Sequence, residues 1–214
     1  MLPSPAATDP PPQAPRLPTS LKALRRQLRA ARRRLSPRDQ RLHAAALARV
    51  LGRTLTFRRA RRIAAYWPAD GELDPRPLLT HTHHRARRDF LPVLRPGRQR
   101  RLWFARQTPG APLKANRLGI PEPKRRHPTP PWALDLILVP LVGFDADCNR
   151  LGMGGGYYDR TLSYLRSRTH WHRPRLIGIA HECQRVARLT PRPWDVPLDA
   201  AATERRVYRR GSRV

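Results

Sequence analysis

The spacing of apolar residues near the start of the chain predicts two helices. Thr19 and Ser20 can cap the first one, whose apolar stripe is Leu21, Leu24, Leu28, Ala31 and Leu35. Ser36 caps the second one and Pro37 begins it, and its apolar positions are Leu42, Ala46, Leu47 and Val50. We expect the two to form an antiparallel helical hairpin. The first helix would present its basic residues to solvent: Lys22, Arg25, Arg26, Arg29, Arg32, Arg33 and Arg34.

From residue 62 onward, the pattern changes to short apolar runs that are typical of buried strands. Two runs end at a proline, residues 63–67 before Pro68 and residues 134–139 before Pro140. Further strands are predicted at residues 90–94, 102–104, 176–180 and 200–208. Because a Pro-Gly turn signal separates the strands at 90–94 and 102–104, we expect these two to form a hairpin.

Helical segments are predicted between the strands. Asp74 and Pro75 start one that ends in a basic tail at Arg88, and another follows the glycine-rich stretch at 143–160. Residues 106–133 are rich in proline and polar groups, which indicates a long loop. Strands that alternate with helices predict an α/β fold: a three-layer α/β/α sandwich with a mostly parallel sheet, preceded by the helical hairpin.

Composition and charge refine this expectation. Residues 1–18 contain seven prolines and predict a disordered leader, so that a single domain would span residues 19–214. The chain has 44 Lys and Arg against 15 Asp and Glu, and its net charge of +29 is typical of nucleic-acid-binding proteins. All but three of the basic residues are Arg, and they accompany 25 Pro and abundant Ala. These residue types share GC-rich codons, so genome composition accounts for much of the charge.

Other classes are excluded by simple counts. No run approaches 18 apolar residues and no signal peptide is recognisable, so we expect a soluble, cytoplasmic protein without a membrane partner. The two cysteines, Cys148 and Cys183, are too few for a disulfide framework or a four-cysteine zinc site. His81, His83 and His84 lie close together, but they have no acidic or cysteine partner nearby, and we do not expect them to bind a metal.

A glycine-rich turn between a buried strand and a helix carries the strongest chemical signal. Gly152 and residues 154–156 let backbone N–H groups approach phosphate oxygens, and the following helix N-terminus adds partial positive charge. Arg150 precedes the glycines as a phosphate partner, and Asp159 follows them as a magnesium ligand. The spacing matches neither the P-loop nor the dinucleotide fingerprint, so another kind of nucleotide site is required.

These residues resemble the 5-formyltetrahydrofolate cyclo-ligases, also called methenyltetrahydrofolate synthetases. The similarity rests on GFD followed by NRLGMGGGYYDR at residues 149–160, and it extends to YWPADGELD, FLPVL, NRLGIPEP, HECQ and WDVPLDAAATE, in family order. The resemblance implies a ligase that forms a cyclic C–N bond. Its reaction converts 5-formyltetrahydrofolate and ATP to 5,10-methenyltetrahydrofolate, ADP and phosphate with Mg²⁺. The sequence leaves open whether the folate substrate carries a polyglutamate tail.

Matching positions imply a role for each site residue. ATP would be bound by Lys22, Arg26, Arg150, Leu151, Gly152, Met153, Gly154, Gly155, Gly156, Tyr157 and Tyr158. The folate would contact Trp67, Glu72, Met153, Gly154, Gly155, Gly156 and Tyr157. The catalytic residues would be Lys22, Arg150 and Tyr157. The magnesium carboxylates would be Asp159 and Asp195. Some family members carry a basic residue at the position of Met153, so here Arg150, Lys22 and Arg26 must supply the positive charge.

Two other functions stay open at this point. The Arg-rich first helix permits a basic nucleic-acid-binding protein, and the glycine turn permits a nucleotide-binding regulator without catalysis. The recognisable nucleic-acid-binding motifs are absent from the sequence, so nucleic acid is not an expected partner. We expect a monomer.

Overall fold

The computed structural model describes residues 20–80, 87–97, 100–124, 127–166 and 173–211. The predicted leader at 1–18 and the cluster of His81, His83 and His84 lie outside these ranges. The helices are α1 (Leu21–Arg33), α2 (Pro37–Gly52), α3 (Leu55–Arg59), α4 (Arg76–Thr80) and α5 (Tyr157–Thr161). The strands are β1 (Arg62–Ala64), β2 (Arg88–Leu94), β3 (Leu102–Gln107), β4 (Leu113–Ala115), β5 (Pro121–Pro123), β6 (Pro128–Thr129), β7 (Leu136–Pro140), β8 (Gly143–Phe144), β9 (Arg150–Leu151), β10 (Arg175–Ile179), β11 (Ala200–Ala202) and β12 (Val207–Arg209).

An eight-stranded sheet with the order β12-β11-β10-β7-β1-β2-β3-β6 forms the centre of the molecule. The strands from β11 to β2 in this order run parallel, whereas β12, β3 and β6 pair antiparallel at the two sides. The two proline-terminated runs lie side by side, with Ile63 of β1 opposite Leu136 of β7. The prediction of a mostly parallel sheet is confirmed.

Side chains that alternate along the strands divide the core between two faces of the sheet. Ile63 and Leu138 point to the face covered by α2, α3 and α4. Ala64 and Ile137 point to the opposite face, which Leu162 and Leu165 cover from the segment at and after the end of α5. The predicted three-layer α/β/α arrangement is therefore confirmed.

The two N-terminal helices begin where the sequence predicts. The hydroxyl of Ser20 accepts a hydrogen bond from the backbone N–H of Ala23, and Ser36 caps α2 in the same way through Asp39. The antiparallel hairpin is not confirmed, because the helices bury their apolar faces in different clusters. α2 packs on the sheet and α4, whereas α1 lies against the 3₁₀ turn Glu182–Gln184.

α1 also packs closely against the start of β8. A Cβ atom at Gly143 would lie 2.5 Å from the Cδ1 atom of Leu28, so the absence of a side chain at this position permits the close approach of the helix.

Among the helices of the described residues, none has the length and apolar character needed to cross a membrane.

Three predicted segments were wrong in detail. The expected long loop at 106–133 contains the hairpin β4–β5 and the edge strand β6, because Asn116 closes a turn through its own side chain and backbone. The single strand at 200–208 is the hairpin β11–β12. Its turn is held by the Thr203 hydroxyl, which accepts hydrogen bonds from the backbone N–H groups of residues 205 and 206. Finally, Arg88 belongs to β2 rather than to a helical tail, since its N–H donates to the carbonyl of Arg61.

Candidate active site

A cavity of about 730 Å³ lies at the carboxyl ends of the parallel strands and is the main candidate for a functional site. This edge is where open α/β sheets bind their ligands, and the volume is in the range of small-molecule sites. Charged residues dominate its wall: Arg25, Arg101, Arg150, Arg160, Arg166, Arg192, Asp159 and Asp195. We call this site the arginine cavity. Its charge favours an anionic ligand that carries several phosphate groups.

The predicted glycine turn forms part of this wall. Gly154 and Gly156 have φ angles of 92° and 66°, a left-handed conformation that favours glycine. Arg160 stabilises the turn by donating a hydrogen bond to the carbonyl of Gly155. The helix that follows, α5, has only five residues, so its dipole adds less positive charge than the sequence pattern suggests.

The basic and acidic residues that flank the glycine turn meet inside the cavity. Arg150 is almost fully buried, and its guanidinium group pairs with the Asp159 carboxylate and donates to the carbonyl of Val196. Asp195 lines the same cavity, where its carboxylate accepts a hydrogen bond of 2.8 Å from the backbone N–H of Arg192. The structure thus brings Arg150, Asp159 and Asp195 together, although Asp195 lies 36 residues further along the chain than Asp159.

α1 contributes a cavity residue that sequence reasoning missed. Arg25 lines the wall, and its Nε donates a 2.8 Å hydrogen bond to the carbonyl of Gly152. Lys22 and Arg26, the residues predicted from the resemblance, are exposed and line a groove along α1 that Arg25 also lines, but they are absent from the wall of the arginine cavity. A signal for Arg25 exists in the sequence, because it lies four residues after Leu21 and three before Leu28, beside the apolar stripe.

A buried arginine links α1 to the loop that carries the predicted folate residues. Arg32 has no exposed surface, and it donates to the carboxylate and the carbonyl of Asp70 as well as to the carbonyl of Leu141. Glu72 lies 3.7 Å from the same guanidinium group. The prediction that Arg32 faces solvent is wrong, since its spacing of four residues from Leu28 places it on the buried stripe.

Glu72 lies outside the arginine cavity, in surroundings that shift the pKa of its carboxyl group. Burial raises its pKa, and Arg32 opposes this shift. Burial raises the pKa of the Tyr66 and Tyr158 phenols, and the negative charge of Glu72 raises both further, whereas Arg150 lowers the pKa of Tyr158. Glu72 also lines a second cavity of about 450 Å³ between α2 and residues 68–77.

The remaining predicted residues divide between the two sides of the glycine turn. Leu151 and Gly152 line the arginine cavity, whereas Met153, Gly155, Tyr157 and Tyr158 are absent from its wall. The Tyr157 hydroxyl lies 3.5 Å from the Arg117 guanidinium group, which brings the β4–β5 hairpin next to the turn. Trp67 is half-buried, and Arg76 covers its ring at 4.6 Å.

Comparison with known proteins identifies the protein family to which the chain is similar. The model of the 5-formyltetrahydrofolate cyclo-ligase family matches residues 19–204, which include α1, the loop of Glu72 and the whole glycine turn. The chain belongs to this family. It is thus an enzyme of the 5-formyltetrahydrofolate cyclo-ligase class, as the sequence resemblance implied.

Individual relatives agree with the family assignment. The chain is 40% identical over 151 residues to the 5-formyltetrahydrofolate cyclo-ligase of Escherichia coli K12. The matched residues make up 70% of this chain and 81% of that protein. It is 41% identical over 143 residues to the Haemophilus influenzae protein of the same name, covering 66% of this chain and 74% of that protein.

Two solved structures share the fold over almost their full length. The 5,10-methenyltetrahydrofolate synthetase of Aquifex aeolicus superposes with a TM-score of 0.74 at 30% identity, covering 91% of this chain and 94% of that one. The synthetase of Mycoplasma pneumoniae gives a TM-score of 0.65 at 27% identity, covering 87% and 99%. The α/β architecture described above is therefore the architecture of the family.

Proposed function

We propose that this enzyme uses MgATP to convert 5-formyltetrahydrofolate to 5,10-methenyltetrahydrofolate, with release of ADP and phosphate. The observation that carries the proposal is the arginine cavity, which combines many cationic groups with two carboxylates in a chain of the cyclo-ligase family. Glu72 does not line this cavity, and its loop is held to α1 through Arg32. A nucleotide in the cavity and a folate at Glu72 would meet near the glycine turn.

The reaction needs ATP because a formyl oxygen is a poor leaving group. Attack of this oxygen on the γ-phosphorus of ATP forms a C–O–P linkage and releases ADP. The second folate nitrogen then bonds to the activated formyl carbon, and the C–O bond breaks as inorganic phosphate leaves. The nitrogen that closes the ring loses its proton to solvent. Catalysis of the phosphoryl step consists mainly of positioning and charge stabilisation, which suits a cavity lined with arginines.

We assign the triphosphate to the arginine cavity. Arg150 is buried and already oriented by two hydrogen bonds, so it loses little side-chain entropy when a phosphate group binds. Arg25 lies beside Gly152 and Gly154 and reaches the same space from α1. The assignment of Lys22 and Arg26 to ATP stays a prediction, and their position on the outside of α1 makes Arg25 the stronger candidate.

The acidic residues of the cavity fit a magnesium ion that arrives with ATP. Mg²⁺ in nucleotide sites is usually held by one or two carboxylates together with phosphate oxygens, and Asp159 and Asp195 offer two carboxylates here. No cluster of three ligating side chains occurs at this cavity in the ranges that the structure describes. The ion would neutralise the developing charge on the transferred phosphoryl group. Arg150 holds Asp159 in the cavity until the ion is present.

We assign recognition of the folate to Glu72 and Trp67, with Tyr157 and Met153 at the border of the glycine turn. A carboxylate accepts hydrogen bonds from the N–H groups of a pterin ring, and the flat ring of Trp67 offers a stacking surface. Arg76 covers that surface in the structure, so it must move aside for a ring to stack there.

The neighbouring arginines of α1 provide a matched test of the phosphate site. We expect Arg25→Ala to lower kcat/KM for ATP by about 100-fold, since it removes a cation from the cavity wall. Arg26→Ala removes the same charge from the same helix, and we expect less than about a threefold change. Steady-state kinetics with ATP as the varied substrate measures both. A larger loss in Arg26→Ala than in Arg25→Ala would favour the prediction from the resemblance over the assignment of Arg25.

Glu72→Gln should separate folate binding from stability. We expect KM for 5-formyltetrahydrofolate to rise at least about 10-fold, because an amide replaces one carboxylate acceptor with a donor. The midpoint of thermal unfolding should not fall at pH 7, since burial raises the pKa of this carboxyl and its ionised form costs folding free energy. A lower midpoint with unchanged KM would instead assign Glu72 a purely structural role.

The activity itself is tested by mixing the enzyme with 5-formyltetrahydrofolate and following the near-ultraviolet absorbance of the methenyl product. We expect product only when both ATP and Mg²⁺ are present. ATP binding without turnover would favour a nucleotide-binding regulator. Retention of DNA or RNA at physiological salt, with a steep dependence on salt concentration, would favour the nucleic-acid hypothesis.

A further inference from the structure

A second group of ligating side chains lies apart from the arginine cavity. His43 projects from α2, His181 follows β10, and Glu204 follows β11. One ligand atom from each residue lies within 4.8 Å of the others. The Nδ1 atoms of the two imidazoles are 2.9 Å apart, and the His43 Nδ1 is 3.9 Å from a carboxylate oxygen of Glu204. None of these residues lines the arginine cavity.

Hydrogen bonding within the protein satisfies the two Nδ1 atoms of this group only when one imidazole carries its proton on Nδ1 and the other on Nε2. His181 is fully buried, and its Nε2 has no partner at hydrogen-bond geometry in the described part of the chain, although the backbone of Gly71 interacts with the ring. If His181 carries its proton on Nε2, its Nδ1 lone pair faces the His43 Nδ1, which must then supply the proton that the two nitrogens share. If it carries the proton on Nδ1, a bare Nε2 acceptor is buried without a donor. A cation among the three ligands would accept both Nδ1 lone pairs and balance the carboxylate charge, and each imidazole would keep its proton on Nε2.

We propose that His43, His181 and Glu204 bind one Zn²⁺ ion. Two imidazoles with one carboxylate are a common zinc donor set, whereas Mg²⁺ and Ca²⁺ prefer oxygen ligands throughout. A tetrahedral zinc with bonds of about 2.0–2.1 Å requires ligand atoms about 3.3 Å apart, and the observed separations of 2.9 and 3.9 Å lie on either side of this value. These two separations require only small side-chain movements, and all three ligand atoms already lie within 4.8 Å of one another.

The surroundings already orient two of the ligands. Glu204 accepts a 3.0 Å hydrogen bond from the backbone N–H of Glu182, which fixes its carboxylate. A zinc-bound His181 would direct its remaining N–H towards the backbone of Gly71, the usual outer contact of a metal-bound histidine. The fourth position is left to water, because three protein ligands do not complete a tetrahedron.

The position of the site indicates a structural role. It connects α2 to the turn Glu182–Gln184 and to the β11–β12 hairpin, three parts of the chain that are distant in sequence. α1 rests on that same turn. Bound zinc would therefore hold α2 and the edge of the sheet together, and it would not take part in phosphoryl transfer.

The test is a zinc titration of the full chain, produced without a histidine tag and stripped with a chelator that is then removed. We expect one equivalent of tight binding by competition with a chromogenic chelator, and a rise of several degrees in the unfolding midpoint. His43→Asn and Glu204→Gln should each weaken the tight equivalent at least about 100-fold and abolish the rise. His43 is half-buried, so its replacement is compatible with folding, which circular dichroism of the zinc-free proteins checks.

Matched controls address the other groups that could take up zinc. The triple variant His81→Asn, His83→Asn, His84→Asn and the variant Cys183→Ser should keep the tight equivalent, as should Asp159→Asn. Absence of a tight equivalent in the unaltered chain would overturn the proposal. So would its retention in both His43→Asn and Glu204→Gln, or its loss in the triple variant alone.

Discussion

Replacing Asp159 by Asn is expected to lower kcat roughly 1000-fold, because the change removes a carboxylate that would hold the magnesium ion against the phosphoryl group being transferred. The amide keeps the size of the side chain, and Arg150 retains its hydrogen bond to the carbonyl of Val196, so the cavity should keep its shape. Turnover should also require a higher magnesium concentration. The methenyl absorbance assay with Mg²⁺ as the varied component measures both effects.

The control for this change is Asp147→Asn, which removes the same charge from an exposed position outside the arginine cavity. It should leave kcat and the magnesium requirement within about twofold of the unaltered enzyme, since exposed charges are screened by salt. Near-normal turnover in Asp159→Asn would contradict the assignment of this residue to the metal. An equal loss in both variants would point to overall charge rather than to the site.

Arg32→Ala is expected to lower the free energy of unfolding by about 3–5 kcal/mol. The substitution leaves a cavity and removes the buried cationic partner of Glu72, while Asp70 loses one of its three arginine partners and keeps Arg29 and Arg33. Asp70 has a φ angle of 54°, and the hydrogen bonds to Arg32 help to hold it in this unfavourable conformation. Urea unfolding at pH 7 measures the change.

Arg33→Ala serves as the comparison, because Arg33 also pairs with Asp70 but its side chain is 53% exposed. An exposed pair of this kind contributes about 0–1 kcal/mol. If the two variants lose the same stability, burial is not the reason for the effect. If Arg32→Ala is folded and stable but binds folate poorly, Arg32 acts through Glu72 alone.

The elements that the sequence predicts well are those with strong local signals. The caps at Ser20 and Ser36 fix the starts of α1 and α2, and the proline-terminated runs become β1 and β7, the central strands. The segments that were predicted wrongly depend on turns whose stabilising bonds are made by side chains, as at Asn116 and Thr203. A pattern of apolar residues does not contain this information.

The residues of the candidate site likewise divide into those with a local sequence signal and those without one. The glycine turn and its two flanking residues could be found because they are contiguous, whereas Asp195 and Glu72 depended on the family resemblance. Arg25 and Arg32 were hard to recognise among the many arginines of one helix, because their spacing from Leu21 and Leu28 is the only sequence signal that distinguishes them from Arg26 and Arg33. High arginine content thus weakens charge as a signal for function.

The position of α1 has a thermodynamic consequence. Arg25 and Arg32 are seven residues apart, about 10 Å along one rigid helix, and they touch the glycine turn and the loop of Glu72 respectively. A ligand that restrains the helix at one end therefore reduces the conformational entropy that the other ligand must still remove. We expect ATP and folate to bind synergistically, and by linkage each should raise the affinity of the other by the same factor.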